Sequence, residues 1–206
     1  MLMHLRRSLV MMLLCTVFFG FFYAFACTGF AQLFFPHQAN GSLSAQGSTL
    51  IGQNWSLTPC PGHLAGTCVF QGRPDDTGPY AAGQYSTSGG DNPLEANGIG
   101  GESGGTNLGP HSAKLLALTQ ELVAYWHNRG VDPTPDLVTT SASSYDPDIT
   151  PQDALAEVPM VSAATGISAH VLQALIAREA VGEEWGFMGS SYVDVLQLNV
   201  ALQRLK

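Results

Sequence analysis

Gly101-Glu102-Ser103-Gly104-Gly105 matches the G-x-S-x-G spacing of a serine nucleophile. That chemistry needs a buried strand before the serine and a helix after it, so that a sharp turn exposes the hydroxyl. The preceding Glu95-Ala96-Asn97-Gly98-Ile99-Gly100 makes no strand, and the match reads as chance in a chain with 23 glycines. A hydrolase would have His111 or His170 as its base. Asp146 and Asp148 form a carboxylate pair two residues apart, a spacing open to acid/base work. The Asp146-Pro147-Asp148 context favours turn chemistry instead. Ser141, Ser143 and Ser144 read as loop hydrogen-bonders, and His63, His111 and His127 have no visible ligand partner. The sequence holds no Gly-x-x-x-x-Gly-Lys-Ser/Thr phosphate loop and no aspartyl-phosphate motif of a P-type pump, so the chain alone is not expected to hydrolyse ATP.

The elements that would position such groups begin with a membrane candidate. Residues 8–35 contain no charged residue. As a helix this run would be ~40 Å long at ~1.5 Å per residue, and about 20 residues suffice to cross a hydrocarbon core. Arg6 and Arg7 precede it and are expected to stay cytoplasmic. This divides the chain into a cytoplasmic N-terminus (1–7), a transmembrane helix (8–35) and an extracytoplasmic domain (36–206). Tyr23, Phe34 and Phe35 fall toward the outer interface, and Pro36 ends the helix. The alternative is a cleaved signal peptide, with Ala24-Phe25-Ala26-Cys27 as the cleavage site. The run is longer than a signal core of about 7–15 residues, and it continues past that site through Phe30, Leu33, Phe34 and Phe35. Gly20 and Gly29 could let a partner helix approach closely, or could reflect the frequency of glycine in membrane helices.

All 16 acidic residues follow this run, against six basic ones. The excess of negative charge disfavours nucleic acid, which requires clustered Lys and Arg, and mildly attracts cations. Only 12% of residues are charged. This fits one domain with a core, built from the roughly 170 residues beyond the membrane run, better than a disordered tail. In the extracytoplasmic setting Cys60 and Cys68 are expected to form a disulfide. A metal reading would have only three ligands, Cys60, His63 and Cys68, where a closed zinc site needs four.

Within the outer domain, Thr49-Leu50-Ile51-Gly52 reads as a short strand. Residues 56–110, rich in Gly, Pro and small polar residues, read as turns and short strands tied by specific contacts. Leu115, Leu118, Leu122 and Tyr125 recur at helical spacing, with Pro110 suited to a first turn and Gly130 to the position after the end. Asp136-Leu137-Val138-Thr139 reads as a strand. Thr150 caps a helix with Pro151 in its first turn and Asp153 three residues on, and Pro159 is expected to bend or end it. Ser168 caps a helix through Ala180 whose apolar face is Val171, Leu172, Leu175 and Ile176. Asp194 caps a last helix over 195–205. The pattern is α+β: one N-terminal transmembrane helix, then a single domain with short strands and later helices.

Six strings along the chain carry a resemblance. They are Thr28-Gly29-Phe30-Ala31-Gln32-Leu33-Phe34-Phe35-Pro36-His37-Gln38-Ala39-Asn40-Gly41-Ser42; Gly47-Ser48-Thr49-Leu50-Ile51-Gly52-Gln53; Phe70-Gln71-Gly72-Arg73-Pro74; Ser103-Gly104-Gly105-Thr106-Asn107-Leu108-Gly109-Pro110; Pro135-Asp136-Leu137-Val138-Thr139-Thr140-Ser141-Ala142-Ser143, running into Asp146-Pro147-Asp148-Ile149-Thr150-Pro151; and Val193-Asp194-Val195-Leu196-Gln197-Leu198-Asn199-Val200-Ala201-Leu202. In this order they resemble the C subunit of the Kdp family of potassium-transporting P-type ATPases. The chain departs from the family's usual pattern at Ser144-Tyr145, at Asp194, where Asn is common, and at Met160, where a basic residue is common. The Cys60–Cys68 segment and residues 91–101 look like insertions.

The resemblance implies a non-catalytic accessory subunit of the bacterial inner membrane, needed for assembly, stability and activity of a high-affinity potassium pump. Its implied partners are a potassium-conducting A subunit, an ATP-hydrolysing B subunit, a small F subunit and membrane lipid. The complex would use ATP, Mg and K, with no cofactor on this chain. Arg73, Asn107 and Asp146 lie in the family-like loops, where they either contact a partner or pin the loops by hydrogen bonds. The competing reading from another class is a free-standing, membrane-anchored binding module.

Overall fold

The uncharged N-terminal run is helical from its start. In a computed structural model, which describes residues 2–53, 55–56, 58–74, 105–143 and 146–206, the chain divides into two compact units, Met1–Leu43 and Ser44–Lys206. The first unit contains α1 (Leu2–Val17), a π-helical turn (Phe18–Tyr23) and α2 (Ala24–Phe34) in one continuous rod. Its 32-residue stretch Met3–Phe34 is long and apolar enough to cross a membrane. The helix begins before Arg6 and Arg7 rather than at Ser8. Large apolar side chains such as Phe18, Phe22 and Phe25 point outward along it, as suits a helix meant for an apolar medium.

The helix stops at Phe35, whose backbone (φ −135°, ψ 50°) is not helical, because the residue before a proline is pushed out of the helical region. Pro36 does not merely end the helix: it opens the short turn α3 (Pro36–Ala39). Asn40 folds this turn back, donating to the Pro36 carbonyl at 2.6 Å and exchanging two 3.1 Å amide bonds with Gln32. The left-handed backbone of Gly41 (φ 78°) and Ser42 (φ 49°) completes the reversal.

β1 (Leu43–Ser44) and β2 (Gly47–Ser48) pair at the sequence junction of the two units. The expected strand at 49–52 is absent. The backbone N–H groups of Leu50 and Ile51 both bond the Ser48 hydroxyl at 3.1 Å, a side-chain turn that competes with a ladder.

In the second unit α4 (Ala113–His127) runs from Ser112 and is followed by Gly130 at φ 73°. Asp136–Val138 is a 3-10 turn, not the expected strand. Strand alternation would have sent Leu137 and Val138 to opposite faces, and both are buried. The Trp126 indole fixes the turn by donating to the Leu137 carbonyl at 2.8 Å.

β3 (Asp148–Ile149) pairs antiparallel with β4 (Val193–Asp194), placing Asp148 opposite Asp194. Between them lie α5 (Pro151–Thr165) and α6 (Ala169–Glu179), and α7 (Val195–Gln203) follows. The Thr150–Asp153 capping box forms. α5 passes through Pro159 without ending there. That ring is exposed while Val158, Met160 and Val161 beside it are buried, so packing holds both halves. On α6, Leu172, Leu175 and Ile176 enter the core but Val171 stays 41% exposed. The Asp194 carboxylate caps α7 at the Gln197 N–H, 2.7 Å away. Helices α5, α6 and α7 pack in succession around a core that also takes Phe70, Leu122, Trp126 and Leu137.

Candidate functional site

An extended strap, residues 69–74, is held against the helices by side chains from three directions. Phe70, fully buried, receives a pair of bonds from Asn199 on α7: its N–H donates to Oδ1 at 2.8 Å and its carbonyl accepts from Nδ2 at 2.9 Å. The N–H of Gln71 donates to Oε2 of Glu157 on α5 at 2.9 Å, and its side-chain amide donates to the Gly66 carbonyl at 2.6 Å. Near the end of the strap stands Arg73. Its guanidinium lies 3.5 Å from the Asp146 carboxylate and 3.9 Å from that of Asp136, and it bonds Thr139 Oγ1 and the Thr140 carbonyl. Beyond it the Ser141 N–H donates to the Pro74 carbonyl at 3.2 Å.

The structure therefore brings Arg73 and Asp146 together. Asp146 also accepts from the Asp148 N–H at 3.2 Å, closing the Asp-Pro-Asp turn. Asn107 stands apart, in a left-handed conformation (φ 52°), donating to the Gly105 carbonyl at 2.9 Å. Ser141 and Ser143 bond each other within their loop. Cys60 and Cys68 are joined by a disulfide with Cα atoms 5.7 Å apart, and both are buried. Gly20 sits in the π-helical turn, and a Cβ there would come no nearer than 4.0 Å to Thr16. At Gly29 a Cβ would meet nothing within 4 Å, so the helix itself requires neither glycine. Met160 is buried rather than displayed. Ser103, Ser144 and the 91–101 segment lie outside the described residues.

Acidic groups dominate the electrostatics. Burial, then the facing Asp194, then Asp146 push the Asp148 carboxyl up to about 6. Asp194 is itself raised by burial, against the lowering effect of its bonds to the Gln197 and Leu196 N–H groups. Glu157 is fully buried, and desolvation raises it well above the usual carboxylate value despite the Gln71 bond, with nearby Asp153 adding to the rise. Among the described residues no three His, Cys, Asp or Glu side chains are grouped to hold a metal ion.

Glu157, Gln71 and Asn199 did not stand out in the sequence, and Asp153 stood out only as a helix cap. The signal was there in phase: Asp153 and Glu157 share the buried face of α5 with Ala154, Val158 and Val161, and Asn199 lies on that of α7 with Leu198 and Leu202. A polar residue on an apolar stripe must find a partner inside.

The fold is thus a small α+β domain carried behind one long apolar helix, its chain path fixed by buried polar clamps. The chain belongs to the KdpC family, described as K+-transporting ATPase, c chain, which matches residues 5–204. Similar proteins named potassium-transporting ATPase KdpC subunit include one from Methylorubrum populi, 39% identical over 212 residues and covering 100% of this chain and 98% of the relative. Another, from Rhodopseudomonas palustris, is 37% identical and covers 98% of this chain and 97% of the relative. One from Caulobacter vibrioides is 39% identical, covering 98% and 93%.

Proposed function

We propose that this chain is the non-catalytic accessory subunit of an ATP-driven, high-affinity potassium uptake pump, needed to assemble and stabilise the complex. The single observation that carries the reading is the end-to-end match of the chain to the KdpC family. The apolar helix anchors the chain in the inner membrane, with Arg6 and Arg7 on the cytoplasmic side and the acidic domain outside. The domain sits against the outer face of a potassium-conducting A subunit. A B subunit hydrolyses ATP with Mg, and a small F subunit completes the assembly. The clamps at Arg73, Asp146, Asn199 and Glu157 favour a rigid scaffold, since each secures the chain's own loops. The anchored arrangement puts nearly all of this chain on the side of the membrane away from ATP, which favours support of the A subunit over a direct part in nucleotide binding.

Affinity purification in mild detergent from potassium-starved cells tests the proposal. Stoichiometric recovery of two large membrane subunits with potassium-stimulated ATPase activity is the expected result. Recovery of this chain alone, under conditions that hold other membrane complexes together, would favour a free-standing anchored module.

A further inference from the structure

Between α6 and β4 the chain leaves the core and returns as a narrow hairpin. At its base Val181 and Tyr192 exchange backbone bonds of 2.8 and 3.0 Å, and farther out Glu184 and Met188 exchange bonds of 2.8 and 2.9 Å. At the tip Trp185 is 84% exposed and Phe187 74% exposed. Trp185 adopts φ 53°, with Gly186 at φ 78° and Gly189 at φ 79° completing the turn. A bulky aromatic residue is rarely left-handed, and a turn needed only to reverse the chain is served by small polar residues. Here a laddered, core-rooted turn holds two rings away from the molecule. Exposed aromatic side chains carried on such a turn are the make-up of interface hot spots. Glu183 and Glu184, both exposed, precede the tryptophan, and no basic residue occurs between Arg178 and Arg204.

We propose that this hairpin is the docking knob of the outer domain, seating Trp185 and Phe187 in an apolar pocket rimmed by Lys or Arg on the outer face of another subunit of the complex. The inference rests on the accessory-subunit reading above and names the surface that serves it. Charge selects a protein over the bilayer as the occupant. Anionic lipid repels the two glutamates, whereas segments that bind such membranes carry basic clusters.

The test uses the full chain co-expressed with its partner subunits. The double variant Trp185→Ser/Phe187→Ser is compared with wild type and with Leu116→Ser, which removes an exposed apolar side chain from α4 instead. The double variant is expected to recover the large subunits at least about tenfold less well, as for loss of two aromatic anchors, with Leu116→Ser behaving as wild type. A benzophenone amino acid in place of Trp185, crosslinked in intact cells, is expected to attach to a large membrane subunit whether or not the double variant folds. Crosslinking to lipid alone, or undiminished recovery by a double variant that folds, overturns the docking knob and leaves the accessory-subunit reading standing. Wild type recovered without large subunits overturns that reading and the knob with it.

Discussion

Glu157 is a fully buried carboxyl group. One oxygen accepts the Gln71 N–H at 2.9 Å, and the other has no hydrogen-bond partner among the described residues. Asp153, one turn earlier on α5, is also buried but better supplied: it accepts from the Thr150 N–H and from the Thr134 hydroxyl. Burial first, and then the charge of Asp153, keep the Glu157 proton in place well above the usual carboxylate value. The sign of the consequence follows from linkage. Below the unfolded value both states are protonated and the contribution of Glu157 is fully present. As pH rises from there, the unfolded chain releases the proton while the folded one keeps it, and stability is lost until the folded value is passed. Glu157→Gln retains the acceptor for Gln71 and removes the titration. The difference in Tm between variant and wild type is therefore expected near zero at about pH 4 and increasingly in favour of the variant toward about pH 7. A difference that stays constant across this range would show that Glu157 titrates normally.

At the scale of elements, the strap joins helices far apart in sequence. Asn199 satisfies both backbone groups of Phe70 across 129 residues, in a site where both residues are fully buried. Asn199→Ala leaves an N–H and a carbonyl without partners and is expected to cost about 2–6 kcal/mol, since each buried orphan costs about 1–3. Denaturant unfolding of the full chain in detergent measures it. A loss below about 0.5 kcal/mol, the size of an ordinary surface change, would mean the strap does not need this clamp. The same distance explains what the sequence disclosed. Caps are local: Thr150, Pro151 and Asp153 announced α5, and Asp194 announced α7, because their partners lie three residues away. The stripe of Leu118, Leu122 and Tyr125 likewise announced α4. Strands of two residues have no period to read, so β3 and β4 passed unseen, while apolar pairs at 50–51 and 137–138 imitated strands. The Arg73–Asp146 ion pair and the Phe70–Asn199 clamp span 73 and 129 residues. For Arg73 and Asp146 the sequence suggested either partner contact or loop fixing, and Phe70 and Asn199 were not singled out; nothing in a single chain gives the pairing.

At the scale of the whole molecule, the compartment reading joins two observations that lie far apart. Arg6 and Arg7 lie in the first turns of a helix long enough to cross a membrane, and the proposed topology keeps this positive end in the cytoplasm. In the proposed orientation everything beyond the helix lies outside, where thiols oxidise, and the bonded pair Cys60–Cys68 lies in that part. A reducing compartment would leave the loop open, and the chain-entropy argument puts the loss for a loop this short at about 2–3 kcal/mol. Topology and disulfide therefore stand or fall in one labelling experiment. In a Cys15→Ser/Cys27→Ser variant the remaining thiols are Cys60 and Cys68. In intact spheroplasts a membrane-impermeant maleimide is expected to label neither before reduction and both after treatment with an impermeant phosphine. Labelling only after lysis would place the domain in the cytoplasm and reverse the orientation. Labelling of intact spheroplasts without reduction would keep the domain outside but leave the two cysteines as thiols, so that the hold on the 60–68 loop must come from its hydrogen bonds, among them Gly66 N–H to the Thr58 carbonyl at 2.8 Å.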